Sequence, residues 1–260
     1  MIGVEAMLAH VVPFVLVVFR LAGLVVGAPL LSSASVPQKA KALFLIMLSA
    51  AIYPLLPPVT PPPDVDILTL LPMIVRELLI GLAMGVIAAV PLAMLEMSGV
   101  IMGQQVGFGL AKVYNPELEF EADVIGQMLF SIGAACFITA GGLETLITTL
   151  AGTFERLPVG GLTPWEIPVG LLAGVVGSGF ELAMRIAAPV TGIVLLLVIL
   201  FGVIGKTMPQ LNVMTVGFTI KILAFLAIAG ASLYSIDAVA GDEISRVIEL
   251  VRQWADGLGA

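Results

Sequence analysis

Twenty consecutive uncharged residues run from Ile186 to Gly205, and nothing else in this chain constrains its fold as much. A polar break, Lys206-Thr-Met-Pro-Gln-Leu-Asn212, follows them, and then a second apolar run interrupted only by Lys221. About 20 apolar residues is what a helix needs to cross roughly 30 Å of hydrocarbon. The pattern therefore predicts two long apolar helices joined at a corner, with the proline and the amide side chains at the joint. Composition points the same way: 60% hydrophobic residues, a mean hydropathy of +1.15 and 11% charged residues leave too little polar surface for a soluble domain of 260 residues. The chain is expected to live in lipid or inside an assembly, with an all-α fold of membrane-type helical hairpins.

Apolar segments fall at about residues 11–36, 42–56, 78–102, 124–143, 167–205 and 211–236. The segment at 42–56 is short for a span and the one at 167–205 is long enough for two helices, so about six or seven apolar helices are expected. The stretch 57–66, Pro-Pro-Val-Thr-Pro-Pro-Pro-Asp-Val-Asp, forbids helix and favours an extended, solvated linker. Two halves are predicted, 1–123 and 124–260. Lys39 and Lys41 would place the loop after the first helix in the cytoplasm. Near the C-terminus Ile244, Val247, Ile248, Val251 and Trp254 recur at helical spacing, with Glu243, Arg246, Glu249 and Arg252 between them. That is an amphipathic helix, able to lie on a membrane surface or dock on a partner, with docking within its own chain the expected outcome.

Glycines recur four apart at Gly23/Gly27, Gly81/Gly85, Gly99/Gly103/Gly107 and Gly170/Gly174. This spacing puts them on one helix face and lets two backbones approach closely, within the chain or against other subunits.

Catalytic chemistry is poorly supplied. There is one His and one Cys, Cys136, which lies in an apolar run and reads as a small hydrophobe, and there is no Cys-x-x-Cys, His-Glu-x-x-His or Gly-x-Ser-x-Gly. No catalytic residue, metal site or cofactor is expected, and the chain is not read as an enzyme. A net charge of -7 with scattered basic residues excludes nucleic acid as a partner class. Gly202-Val-Ile-Gly205-Lys206-Thr207 imitates the end of a phosphate-binding loop, but Leu200 stands where that pattern wants its first Gly and Pro209 interrupts the helix that should follow.

Charges inside apolar runs are the other candidates, because they normally face a partner or a cavity. Glu181 and Arg185 are four apart in the favourable order for a pair on one helix face. Arg20, Glu96 and Lys221 have no such neighbour, so each is expected either to pair across helices or to line an ion path. The break between Gly103 and Asp123 combines the mobile, polar Gly103-Gln-Gln-Val-Gly107-Phe-Gly109 with Lys112-Val-Tyr114-Asn115-Pro116 and then four acids. Asn115 and Pro116 suit the N-cap and first position of a helix, and the acids suit its positive end. Neither explains the glycine segment before them.

Several landmarks carry a family resemblance: Phe19-Arg20-Leu-Ala-Gly23, Ala28-Pro29, Val36-Pro37, Arg76-Glu77-Leu-Leu-Ile-Gly81, Gly103-Gln-Gln-Val-Gly107-Phe, Asn115-Pro116, Phe154 with Leu157-Pro158, and Met208-Pro209-Gln210-Leu-Asn212-Val with Gly217-Phe218. Along nearly its whole length the chain resembles the FliR family, export-gate subunits of bacterial flagellar type III secretion, and their injectisome relatives. It departs from them at Leu143, where a His follows the paired glycines in many relatives, so no polar role is carried over there. The resemblance implies a non-enzymatic subunit of the inner membrane and flagellar basal body. It would join P-type and Q-type subunits, and the B-type switch subunit, around a channel for unfolded exported proteins, with helical hairpins that lie in lipid or are raised above it within the assembly. On that reading Gly107, Gly109, Lys112, Tyr114, Asn115 and Pro116 form a pore loop that helps close the channel, while Arg20, Pro29, Pro37, Glu77, Gly81, Pro209, Gln210 and Asn212 serve assembly and the corner. The rival is a free-standing secondary transporter or channel that uses Arg20, Glu96, Glu181 and Lys221 as its path.

Overall fold

A computed structural model describes residues 4–32, 36–56, 67–108, 124–160, 168–208, 210 and 212–258. Among them every regular element is helical, as the apolar runs predict, with no strand. Helix α1 (Val4–Gly27) leads through a turn to α2 (Gln38–Ile52) and a short 3-10 helix (Tyr53–Leu55). Then follow α3 (Ile67–Val106), α4 (Val124–Thr139), α5 (Gly142–Arg156), α6 (Val169–Thr207) and α7 (Val213–Gly257). The Pro-rich linker, and residues 109–123 of the candidate pore loop, lie outside the described residues.

Three details differ from the sequence reading. The segment long enough for two helices is the single helix α6, which runs on through Pro189. The amphipathic C-terminal stretch is not a separate element but the last third of α7, whose Ile244, Val247, Ile248 and Val251 are buried. Helical periodicity simply continues across Ser235–Gly241, where no residue breaks it. Lys39 and Lys41 also lie in helix rather than loop, in the first turn of α2, and Lys41 Nζ reaches back to the Ser32 carbonyl at 3.0 Å.

The chain divides into two compact units. One comprises Met1–Val90, Gly141–Val175 and Ser245–Ala260; the other comprises Pro91–Ala140 and Val176–Ile244. In the first, Leu16, Val17, Leu21 and Leu24 of α1, Ile80 and Met84 of α3, Leu146, Leu150 and Phe154 of α5, and Val247 and Val251 of α7 form the core. Its tightest contact is the crossing of α1 and α3. A Cβ on Gly23 or Gly81 would overlap the carbonyl oxygen of Leu78 or Arg20, and one on Gly27 would come within 3.0 Å of the Gly85 Cα. The glycine spacing is thus used within the chain, backbone against backbone. At the other end of α1, the Tyr53 hydroxyl and His10 Nδ1 lie 3.1 Å apart, and the Phe14 ring meets Tyr53 edge-on at 5.6 Å.

In the second unit Leu92, Leu95 and Met102 of α3 and Leu129 and Phe137 of α4 are buried, with Leu92 and Leu95 against Gly133 of α4, and Gly99 admits the backbone of Gly126, though less closely than Gly81 admits Arg20. Leu182, Ile186, Val190 and Val194 of α6 and Phe225, Ile236 and Ala240 of α7 complete its interior.

Among the described residues four helical stretches are long and apolar enough to cross a membrane: His10–Gly27, Thr69–Val106, Val169–Thr207 and Thr215–Leu233. A fifth is added if α4 and α5 count as one. Length is the unusual property. At 40, 39 and 45 residues, α3, α6 and α7 have contours of about 60 Å or more at 1.5 Å per residue, twice a hydrocarbon thickness of about 30 Å.

Candidate assembly site

Arg20 sits well inside α1 with no exposed surface, and an arginine there requires a partner for every direction in which its planar fork points. All three directions are satisfied. Nε donates to Glu77 Oε2 of α3 at 2.5 Å, Nη1 to Thr153 Oγ1 of α5 at 3.0 Å, and Nη2 to the Leu157 carbonyl at 3.0 Å. The guanidinium also lies 4.2 Å from the centre of the Phe154 ring, a favourable cation–π placement. Glu77 is equally sealed from solvent, and its second oxygen accepts from the backbone N–H of Gly160 at 3.3 Å. Gly160 presents that N–H from a left-handed conformation (φ 71°), where a side chain would be strained. Thr153 closes the network by donating to the Leu150 carbonyl at 2.6 Å. One ion pair thus binds α1, α3, α5 and the turn after it. Removing one partner from such a pair costs about 3–5 kcal/mol, because the other is left charged and dry.

Sequence reasoning placed Arg20 and Glu77 among the assembly residues, and the structure brings them together across 57 positions. It missed Thr153 and Gly160. The two runs that hold the remaining partners, Phe154 and Leu157-Pro158, drew notice as family landmarks without a role. Gly81 stands one turn from Glu77 at the α1–α3 crossing. Pro29 is buried in the turn after α1, and Pro37 is exposed with its carbonyl accepting the first N–H groups of α2, from Ala40 at 2.9 Å and Lys41 at 3.1 Å.

The other candidates are dispersed. Pro209 lies outside the described residues, and Gln210 is exposed. Asn212 caps α7, its Oδ1 accepting the Thr215 N–H at 3.2 Å. Of the pore-loop candidates only Gly107 is described; Gly109, Lys112, Tyr114, Asn115 and Pro116 are not. Gly107 ends α3 with φ 107°, and both its own N–H and that of Phe108 reach the Gly103 carbonyl at 3.1 Å. This closes the helix as a left-handed glycine cap does. The Phe108 ring then meets Phe225 of α7 edge-on at 6.3 Å, so the entry to the loop is anchored at both backbone and side chain.

Glu181 and Arg185 form the expected pair at 3.0 Å on an exposed face of α6. Glu96 and Lys221 are half-buried and, among the described residues, take part in no ion pair. Cys136 is less apolar in its surroundings than its sequence context suggests, since its thiol donates to Asp237 Oδ1 at 3.2 Å. Gly202 to Thr207, the imitation of a phosphate loop, are helical residues at the end of α6, with their backbone N–H groups turned along the helix axis rather than into a cradle.

The family described as "Bacterial export proteins, family 1" matches residues 11–247. The chain is 29% identical to flagellar biosynthetic protein FliR of Escherichia coli over 82% of its own length and 80% of that protein's. It is 25% identical to flagellar biosynthetic protein FliR of Bacillus subtilis over 92% and 93% of the two chains. Yop proteins translocation protein T of Yersinia pestis is 28% identical over 68% and 69%. An all-helical chain with a buried Arg–Glu lock, matched over nine-tenths of its residues, belongs to the bacterial export proteins of family 1.

Proposed function

We propose that this chain is a non-enzymatic subunit of a type III export gate. It assembles with P-type and Q-type subunits, and contacts the B-type switch subunit, in the inner membrane at the flagellar basal body. Membership of the export family makes it a component of a flagellar or secretion export apparatus. The observation that carries the finer reading is the apolar surface the chain leaves uncovered. In His10–Gly27 and Thr69–Val106 about half of the apolar window is buried within the chain (50% and 56%), but in Val169–Thr207 and Thr215–Leu233 only 22% and 11% is. Leu195, Leu196, Ile199, Leu200 and Val203 of α6, and Leu223 and Leu226 of α7, are largely exposed. The glycines divide the same way: Gly23, Gly27, Gly81, Gly85 and Gly99 meet backbone within the chain, whereas a Cβ on Gly170, Gly174 or Gly177 of α6 meets nothing.

Helices about twice the hydrocarbon thickness cannot have their whole apolar surface covered by a bilayer, so part of that surface is left for protein neighbours. At two of the four path candidates, Arg20 and Glu181, the arrangement of charge favours scaffold over ion path, while Glu96 and Lys221 take no side. Arg20 is neutralised and sealed by Glu77, and Glu181 is paired with Arg185. Within the assembly the Gly107 to Asp123 segment forms part of the closure, held at the end of α3 by the left-handed Gly107 cap and able to yield to a polypeptide while α3 stays folded.

Co-expression with candidate P- and Q-type subunits tests this. The expected result is a defined complex from which the chain does not separate, and no solute uptake by the chain alone in liposomes. A stable monomer that transports a solute unaided overturns the reading.

A further inference from the structure

A polar groove of about 340 Å³ opens between α5 and the end of α7, lined by Thr145, Thr148, Thr149, Gly152, Glu155 and Arg252 among others. In a chain of this hydropathy such a concentration of hydroxyls and charges is conspicuous. Its floor is Thr153, the residue whose hydroxyl accepts from Arg20. That contact fixes the depth of the groove. Arg20 lies inside the apolar stretch His10–Gly27, about 15 Å along the helix from one end and about 10 Å from the other. Glu155 and Arg156 are within one turn of Thr153, and both are exposed. If α1 crosses hydrocarbon, this side of the unit would hold Glu155, Arg156, Arg252 and Asp256 near mid-depth. Membrane proteins avoid such an arrangement by turning these groups to water or protein. Lipid is therefore the wrong neighbour for this face.

The charges say which protein chemistry fits. Arg156 and Asp256 already satisfy each other at 2.8 Å across the groove. Glu155 and Arg252 line the same cavity and, among the described residues, form no ion pair. What remains is one unpaired anion, one unpaired cation and a row of threonine hydroxyls, of which that of Thr148 already donates to the Glu144 carbonyl at 2.9 Å and is left to accept from a peptide N–H. We infer that this groove seats a polar segment of a partner subunit that carries a basic residue for Glu155 and an acidic residue for Arg252. The inference rests on the export-gate reading above, because it supposes an assembly to supply the segment. Gly152 lines the groove with no side chain of its own, and an added Cβ there has no neighbour within 4 Å, so the position accepts a substitution that narrows the groove.

The test uses the full chain co-expressed with P-, Q- and B-type subunits and carrying a photoreactive benzoylphenylalanine at Thr148. Irradiation should join position 148 to a partner-subunit segment with an acid and a base within a few residues of each other, whether or not cargo is being exported. Arg252→Glu should reduce recovery of that adduct at least about tenfold, as expected for reversing one member of a charge pair at an interface. Gly152→Trp should do the same, while Gly152→Ala leaves recovery unchanged. If the complex forms but position 148 attaches to phospholipid, to exported chain alone or to nothing, the groove assignment is wrong and the export-gate reading stands. If the unsubstituted chain forms no complex, both fall.

Discussion

At Arg20 a single side chain holds four parts of the fold, and its surroundings explain why a charge is tolerated there. Each direction of the fork ends on an acceptor, and an aromatic face covers the remaining side. Its neighbours are correspondingly sensitive. Glu77→Ala should lower unfolding free energy in detergent by about 3–5 kcal/mol, because it strands a dry guanidinium. Replacing both members with apolar residues of similar volume, Arg20→Met with Glu77→Leu, should recover most of that loss, since no charge is then left to desolvate. Denaturant titration of the three proteins distinguishes these outcomes; an unchanged midpoint for Glu77→Ala alone would show that the lock contributes nothing. Arg20 was legible in the sequence as a lone charge inside an apolar run. Its partners were not, because pairing across 57 and 133 positions leaves no periodic trace.

For the helices, glycine spacing told where close approach is needed but not where it occurs. Gly81/Gly85 and Gly170/Gly174 carry the same signature, yet one pair presses on the backbone of α1 and the other faces open space. The difference depends on what lies opposite, which no single segment encodes. Gly81→Ala should therefore force α1 and α3 apart and destabilise the isolated chain by several kcal/mol, as overpacking against unyielding backbone does. Gly174→Ala should be neutral or stabilising by about 0.5–1 kcal/mol, the ordinary gain in helix propensity. Thermal unfolding of the two variants side by side is the measurement, and equal effects would refute the assignment of internal and external faces. Helix ends were read with mixed success. The cap at Asn212 follows from its residue type, but the junction inside α7 vanished, since an apolar run followed by an amphipathic one carries no stop signal at Ser235–Gly241.

Over the whole molecule, hydropathy gave the fold class directly, because a chain this apolar has few alternatives to bundled helices. What it could not separate is lipid-facing from partner-facing surface, as both are apolar. The long helices α3, α6 and α7, and the uncovered windows of the last two, locate that exposed apolar surface on named elements. Deleting Gly109 to Asn115 should increase ion leakage through an assembled complex without preventing assembly, because the glycine cap at Gly107 and the Phe108–Phe225 contact remain to hold the end of α3. Conductance or dye flux of the reconstituted complex measures it; an unaltered leak would remove the loop from the closure.

The first unit takes segments from the beginning, the middle and the far end of the chain, with Ser245–Ala260 as its final contribution. Folding during synthesis cannot finish that unit until the ribosome has passed Ser245. Until then Arg20 can find Glu77, Thr153 and Leu157, yet Val247 and Val251 are missing from the core of the same unit. A nascent chain halted before Ser245 therefore exposes an unfinished interior to chaperones and proteases, and the last turns of α7 seal it.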